Sequence, residues 1–121
     1  NTPAKPTFVI WPGRSQISEF AELGAVKTTY SSYGFRADVT PSALEAVRHR
    51  RAGVQDEGSQ LVASIFAQAA AEKNSWLDLC AGPGGKAALL ASYCCFSKAR
   101  LACRSCRREF NCCTWRYIET C

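Results

Sequence analysis

Methionine is absent from this chain, histidine occurs once, and no apolar run approaches the length of a membrane span. A bilayer helix needs about 20 consecutive apolar residues, so no membrane partner is expected. His49 stands alone, and nothing beside it suggests a metal site or a catalytic pair. No charged-then-apolar leader opens the chain. With Asn1 first and no methionine, something upstream of Asn1 is expected to be missing. Cysteine is nearly absent from residues 1–93, where Cys80 stands alone, yet seven more follow from Cys94 onward.

What is present has globular proportions. Hydrophobic residues make up 47% and charged residues 21% of 121, which argues against disorder and allows one domain or two small ones. The net charge of +5 is uneven: residues 1–93 carry nine Lys/Arg against eight Asp/Glu, whereas residues 94–121 carry six against two. Two compositions share one chain.

Thr7-Phe8-Val9-Ile10-Trp11, closed by Pro12-Gly13, predicts a buried strand and a turn. Ser15 is a helix cap ahead of Ile17, Phe20, Ala21 and Leu23, with Gly24 as the stop. Val26–Tyr30 and Phe35–Val39 read as strands around a turn at Ser31–Gly34, and the order β-α-β-β is half of a split ferredoxin-like unit. Thr40-Pro41 opens a short helix burying Ala43, Leu44 and Val47. It ends in Arg48-His49-Arg50-Arg51, where cations complement the helix dipole. The competing reading makes Arg48, Arg50 and Arg51 contacts for nucleic-acid phosphates. Asp56 caps a further helix, whose Leu61, Val62, Ile65, Phe66, Ala69 and Ala70 form an apolar stripe expected to pack as core.

Trp76–Leu79 is a short apolar run ending in a loop with Gly82, Pro83, Gly84 and Gly85, and Lys86–Ala91 opens a buried helix. Strand, glycine-rich turn and helix is the layout that offers backbone N–H groups to a nucleotide-like ligand. A Walker-type phosphate loop is excluded, because Ala87 follows Lys86 where Ser or Thr is required. A dinucleotide fingerprint survives only with Ala87 in its last glycine place.

The longer string Asp78-Leu79-Cys80-Ala81-Gly82-Pro83-Gly84-Gly85-Lys86 resembles the first S-adenosylmethionine-binding motif of the Fmu/Sun family of RNA cytosine-5 methyltransferases. Gly53-Val54-Gln55-Asp56-Glu57-Gly58-Ser59-Gln60-Leu61-Val62-Ala63 resembles the element that precedes that strand in the family. The resemblance covers roughly residues 5–92, and two motifs in order make it specific. It implies that Cys80, Ala81, Gly82, Pro83, Gly84, Gly85 and Lys86 wrap the methionine and ribose end of S-adenosylmethionine. It also implies an RNA partner, 16S ribosomal RNA being the expected one, and a cytoplasmic location.

The family attacks C6 of cytosine with a cysteine thiolate, from a Pro-Cys and a Thr-Cys strand end in later motifs. Covalent catalysis of this kind needs a thiolate held against the base. No Pro-Cys occurs here. Thr120-Cys121 copies the second motif superficially, but only 34 residues separate it from Ala87, too few for the strands that intervene in the family. No catalytic residue is therefore assigned, and Cys80 is a loop residue at the cofactor.

A second strand bearing an acidic ribose partner is expected about twenty residues past the loop. Lys98–Arg108 offers basic residues and cysteines instead, so that strand is read as missing, and cofactor binding as weak or absent. Cys103-x-x-Cys106 with Cys112-Cys113 could form a zinc site. Disulfides need an oxidising compartment. Ranked ahead of both is a tail read in a shifted frame of GC-rich coding DNA, so no metal is assigned.

The fold class expected is α/β. A small α+β, partially ferredoxin-like domain (1–52), read as RNA-binding, precedes the start of a class I, Rossmann-like methyltransferase sheet (53–93). An atypical Cys/Arg-rich tail (94–121) follows. The function implied is that of an RNA cytosine-5 methyltransferase, present here as a truncated and inactive fragment. The alternative is a non-catalytic RNA-binding module, with Phe8, Trp11, Tyr30, Tyr33 and Phe35 read either as stacking platforms or as core beneath a short helix, the core being favoured for Phe8 and at least one other. An open sheet edge makes self-association a further expectation.

Overall fold

The computed structural model describes residues 4–72, 75–78, 85–97, 100–103 and 108–110. The chain divides into two units after Leu61.

The first unit is built on a four-stranded antiparallel sheet. Strand β1 (Thr7–Ile10) leads through a turn at Pro12–Arg14 to a 3-10 helix (Ile17–Leu23). Strands β2 (Val26–Lys27) and β3 (Gly34–Arg36) follow, then a 3-10 turn (Pro41–Ala43), helix α1 (Glu45–Arg48) and strand β4 (Ala52–Val54). The sheet order is β2-β3-β1-β4, with every neighbouring pair antiparallel. The element order is thus a complete β-α-β-β-α-β pattern rather than half of one. Its fourth strand is the addition: Ala52, Gly53 and Val54 pair with Ile10, Val9 and Phe8. The expected 52/53 boundary, where the second motif begins, falls inside β4.

Register explains the core. Phe8 pairs with Phe35 across β1 and β3, and their rings stack at 5.1 Å. Phe20, from the 3-10 helix, also stacks on Phe35, at 4.6 Å. Ile10, Ile17, Ala37, Leu44, Ala46 and Ala52 complete the buried cluster. Each buried aromatic of this kind contributes roughly 1.5–3 kcal/mol relative to exposure.

Several local expectations need correction. Gln16, not Ser15, precedes the first helix: its N–H donates to Glu19 Oε1 at 2.8 Å and its carbonyl accepts from Glu19 N at 3.1 Å. Strand β2 stops at Lys27 because Thr28 turns inward, its Oγ1 donating to the Ser31 carbonyl at 3.0 Å. Strand β3 ends at Arg36, short of Val39. Ala43 is exposed, and Leu44 is extended between the 3-10 turn and α1.

Helix α2 (Glu57–Ala69) begins in the first unit and continues into the second. The second unit then holds strand β5 (Ser75–Asp78), helix α3 (Gly85–Ser97), strand β6 (Arg100–Cys103) and strand β7 (Arg108–Phe110). β5 and β6 are parallel, with Asp78 opposite Cys103, while β7 runs antiparallel to β6 with Glu109 opposite Ala102. The second strand read as missing is therefore present: α3 is long enough to return the chain beside β5, as a parallel pair requires.

The apolar stripe of α2 is a second correction. Val62, Ile65 and Phe66 are 57%, 63% and 41% exposed, whereas Ala63 and Ala67 are buried. Small side chains face inward because they permit close approach, and the larger ones face out. The helix does meet its own unit: Trp76 Nε1 donates to the Ala70 carbonyl at 3.1 Å, and Phe66 lies edge-on to Trp76 at 5.5 Å. Ser64 Oγ and Tyr93 OH share a hydrogen bond of 2.9 Å. No helix among the described residues is long and apolar enough to cross a membrane.

Candidate functional site

β5, α3 and β6 form a β-α-β crossover in which six residues, 79–84, connect strand to helix. In open parallel sheets ligands sit outside the carboxyl ends of the strands, where such a connection lies. Cys80, Ala81, Gly82, Pro83 and Gly84 are outside the described residues. Gly85 and Lys86 are the first two residues of α3, and both are exposed. A lysine in a helix's first turn opposes the dipole, at a cost of about 0.3–1 kcal/mol. An anionic ligand at that end would offset it. Behind it, Ala87, Ala88, Leu89, Leu90 and Ala91 are buried, and Ser92 donates Oγ to the Leu89 carbonyl at 2.6 Å, so the helix start is rigidly backed.

Of the expected S-adenosylmethionine contacts, the described residues show one element, the N-terminus of α3, where the first helix N–H groups have no intrahelical partner. The ribose partner is the part that does not fit: β6 ends at Cys103, and residues 104–107 are Arg, Ser, Cys and Arg, with no carboxylate. Glu109 sits on β7 opposite Ala102, not beyond a strand end.

In the second motif, residues 53–63, the expected cap is present, and Glu57 and Gln60 acquire roles that sequence reading missed. Asp56 caps α2, its Oδ1 accepting from Ser59 N at 2.9 Å. Glu57 Oε1 accepts from the N–H groups of Tyr30 and Ser31 at 2.5 and 3.0 Å, while Arg36 Nη2 lies 3.4 Å from Oε2. Those donors, the Tyr30 N–H first, hold the Glu57 carboxyl below its ordinary range. Gln60 is fully buried and fully used. Its Nε2 donates to the carbonyls of Phe8 (3.1 Å) and Gln55 (2.8 Å), and its Oε1 accepts from Ser31 Oγ at 2.6 Å. Gly34 is required beside it, since a Cβ there would collide with Thr28 Oγ1 and Gln60 Oε1.

The basic cluster is a helix terminus. Arg51 N donates to the Ala46 carbonyl at 2.7 Å and Arg50 N to the Val47 carbonyl at 3.1 Å, with Arg50 at φ 55°. These two bonds around a left-handed residue make a Schellman closure. Arg51 Nη1 lies 2.6 Å from Glu19 Oε2, and His49 Nε2 lies 3.9 Å from Glu45 Oε1. Glu19 is held below its ordinary range by the Gln16 N–H first and then by Arg51. Arg48 is exposed at the last position of α1. The three arginines thus share a sequence but not a role.

The aromatic platforms also separate. Phe8 and Phe35 are 0% exposed and belong to the core, which removes them from any stacking surface. Tyr33 packs against that core. Tyr30 is 75% exposed. Among the described residues no group of three or more His, Cys, Asp or Glu is placed to hold a metal. Of the cysteines in the zinc reading, Cys106, Cys112 and Cys113 lie outside the described residues.

No protein-family model matches the chain, and no solved structure matches it. Two curated proteins of Mycobacterium tuberculosis do. They are "Putative methyltransferase MT1451" of strain CDC 1551 / Oshkosh and "Putative methyltransferase Rv1407" of strain ATCC 25618 / H37Rv. Each is 58% identical over 53 residues, covering 42% of this chain and 12% of the relative's own length. The chain is thus similar, over that stretch, to about one eighth of a protein named as a methyltransferase.

Proposed function

We propose that this chain carries the cofactor-loop portion of an S-adenosylmethionine-dependent methyltransferase, acting on cytosine C5 of RNA, with 16S ribosomal RNA the favoured substrate. One observation carries the reading. Asp78 to Lys86, with its glycines and proline, bridges the end of a parallel strand and the start of the helix that returns to the next strand. The 58% identical stretch in proteins named as methyltransferases supports the same chemistry. The finer assignment to RNA and to C5 rests on the two sequence motifs.

In this reading Cys80–Lys86 hold the methionine and ribose end of the cofactor, which supplies an electrophilic methyl group when bound. Backbone N–H groups at the helix start orient it, and the buried face of α3 excludes water from behind. The chain offers no cysteine in the family's Pro-Cys setting, so no methyl transfer is expected from it alone. Its cofactor affinity is weak, because the acidic ribose partner is lacking after β6. Photo-crosslinking of labelled S-adenosylmethionine to the full chain should place the label in residues 80–86. Label confined to the first unit would overturn the assignment.

A non-catalytic RNA-binding module is the second reading, favoured by the exposure of Arg48 and Tyr30. It predicts RNA binding with a steep salt dependence and no cofactor requirement.

A further inference from the structure

The first unit carries a groove of about 410 Å3 that none of the roles above uses. Its floor is apolar, with Ile10 and Ile17 almost fully buried beneath it and Ala21 on the 3-10 helix at its side. Ser18, Ser32 and Lys27 supply its polar margin. The groove lies along β2, an outer strand of the sheet. No carboxylate lines it. Lys27 is exposed and joins no ion pair among the described residues. Of the two acids on the adjoining helix, Glu19 is already held by the Gln16 N–H and by Arg51, and neither Glu19 nor Glu22 lines the groove. The charged side chain that lines it is the Lys27 cation.

We propose that this groove receives one unpaired nucleotide of an RNA. The base lies over Ile10, Ile17 and Ala21, the Ser18 and Ser32 hydroxyls meet its polar edge, and Lys27 meets its phosphate. The inference rests on the RNA reading above and adds the place where the small unit grips the strand. The volume sits at the low end of small-ligand sites, roughly 300–1,000 Å3, which suits a single nucleotide and not a docked helix. Single-stranded RNA is recognised through unstacked bases, each with a flat face and a polar edge next to an anion. An apolar floor, a hydroxyl margin and one cation match those three parts in turn.

The test is fluorescence anisotropy of the full chain with labelled single-stranded oligocytidine at two salt concentrations, comparing wild type, Ala21→Trp and Lys27→Gln. Ala21 is exposed, so an indole there fills the groove without entering the core. Ala21→Trp should weaken binding by about ten-fold or more, about 1.4 kcal/mol, because the indole occupies the space the base needs. Lys27→Gln should weaken it less and lower the salt slope by about one phosphate contact. Both should melt at the wild-type temperature; if Ala21→Trp does not, Lys27→Gln decides the matter through its salt slope. Wild-type affinity in both variants removes the groove from the RNA path and leaves the RNA reading standing. No binding by the wild type at low salt brings down the RNA reading itself, and this inference with it.

Discussion

The two halves of the chain build their buried interiors from different side chains. The first unit buries large ones at its centre, where Phe8 and Phe20 both stack on Phe35 and the buried Gln60 has its polar atoms partnered, while Leu23, Val26, Tyr30 and Val54 stay exposed. In the second unit, α2 turns Val62, Ile65 and Phe66 outward and buries alanines. The first unit is held by an aromatic stack and a buried amide, whereas the described part of the second fills its interior with alanines around Trp76, Leu89 and Leu90.

Substitution should expose that asymmetry most strongly at Phe35. Phe35→Ala removes the middle ring of the stack and should cost about 3–5 kcal/mol. Ile65→Glu, on the exposed face of α2, should stay within about 0.5 kcal/mol. Urea unfolding of both variants measures the gap, and similar losses would erase the contrast.

The next effect is polar. Gln60→Ala leaves the carbonyls of Phe8 and Gln55 without their donor in a buried place, which should cost about 2 kcal/mol. The same unfolding curves report it, and a neutral result would mean that water replaces the amide freely.

Acid should act through Glu57 and Glu19. Both carboxyls are held below their ordinary range, by the Tyr30 and Gln16 N–H groups foremost. A depressed folded pKa gives stability that is complete above the unfolded glutamate value of about 4.3 and is lost as pH falls through the folded values. The melting temperature should therefore hold steady down to about pH 4.5 and fall below it. Glu57→Gln should flatten that fall; an unchanged profile would place the acid sensitivity elsewhere.

The smallest effect has the opposite sign. Two helix ends close by the same pair of bonds, one with Gly24 at φ 66° and the other with Arg50 at φ 55°. Only glycine takes that conformation without strain. Arg50→Gly should therefore stabilise the chain by about 0.5–1 kcal/mol, the strain relieved exceeding the added freedom of the unfolded state. Destabilisation would show that the arginine side chain contributes more than its backbone costs.

What the sequence showed, and what it hid, follows from residue chemistry. β1 was legible because β-branched and aromatic residues run up to Pro12-Gly13, and the end of the first helix because only Gly24 fits it cheaply. β5 and α3 were legible because glycines and Pro83 separate a strand-like run from a helix-like one. β6 was hidden: Arg-Leu-Ala-Cys holds a single strong apolar residue among cations, and its strand character comes from pairing with β5. β4 was hidden because three residues beside an arginine cluster carry no period, and register against β1 supplies the definition. The stripe on α2 misled because periodicity marks two faces and cannot say which is buried. Glu57 and Gln60 were passed over because their partners lie in β1, in the β2–β3 turn and at Gln55 just after β4.

Titration calorimetry of the full chain with S-adenosylmethionine, beside Gly84→Val, tests the cofactor loop most directly. The account predicts weak, saturable binding, on the order of millimolar or slightly tighter, that Gly84→Val abolishes while the melting temperature is kept. Equal heats from both proteins, or none from either, would contradict it.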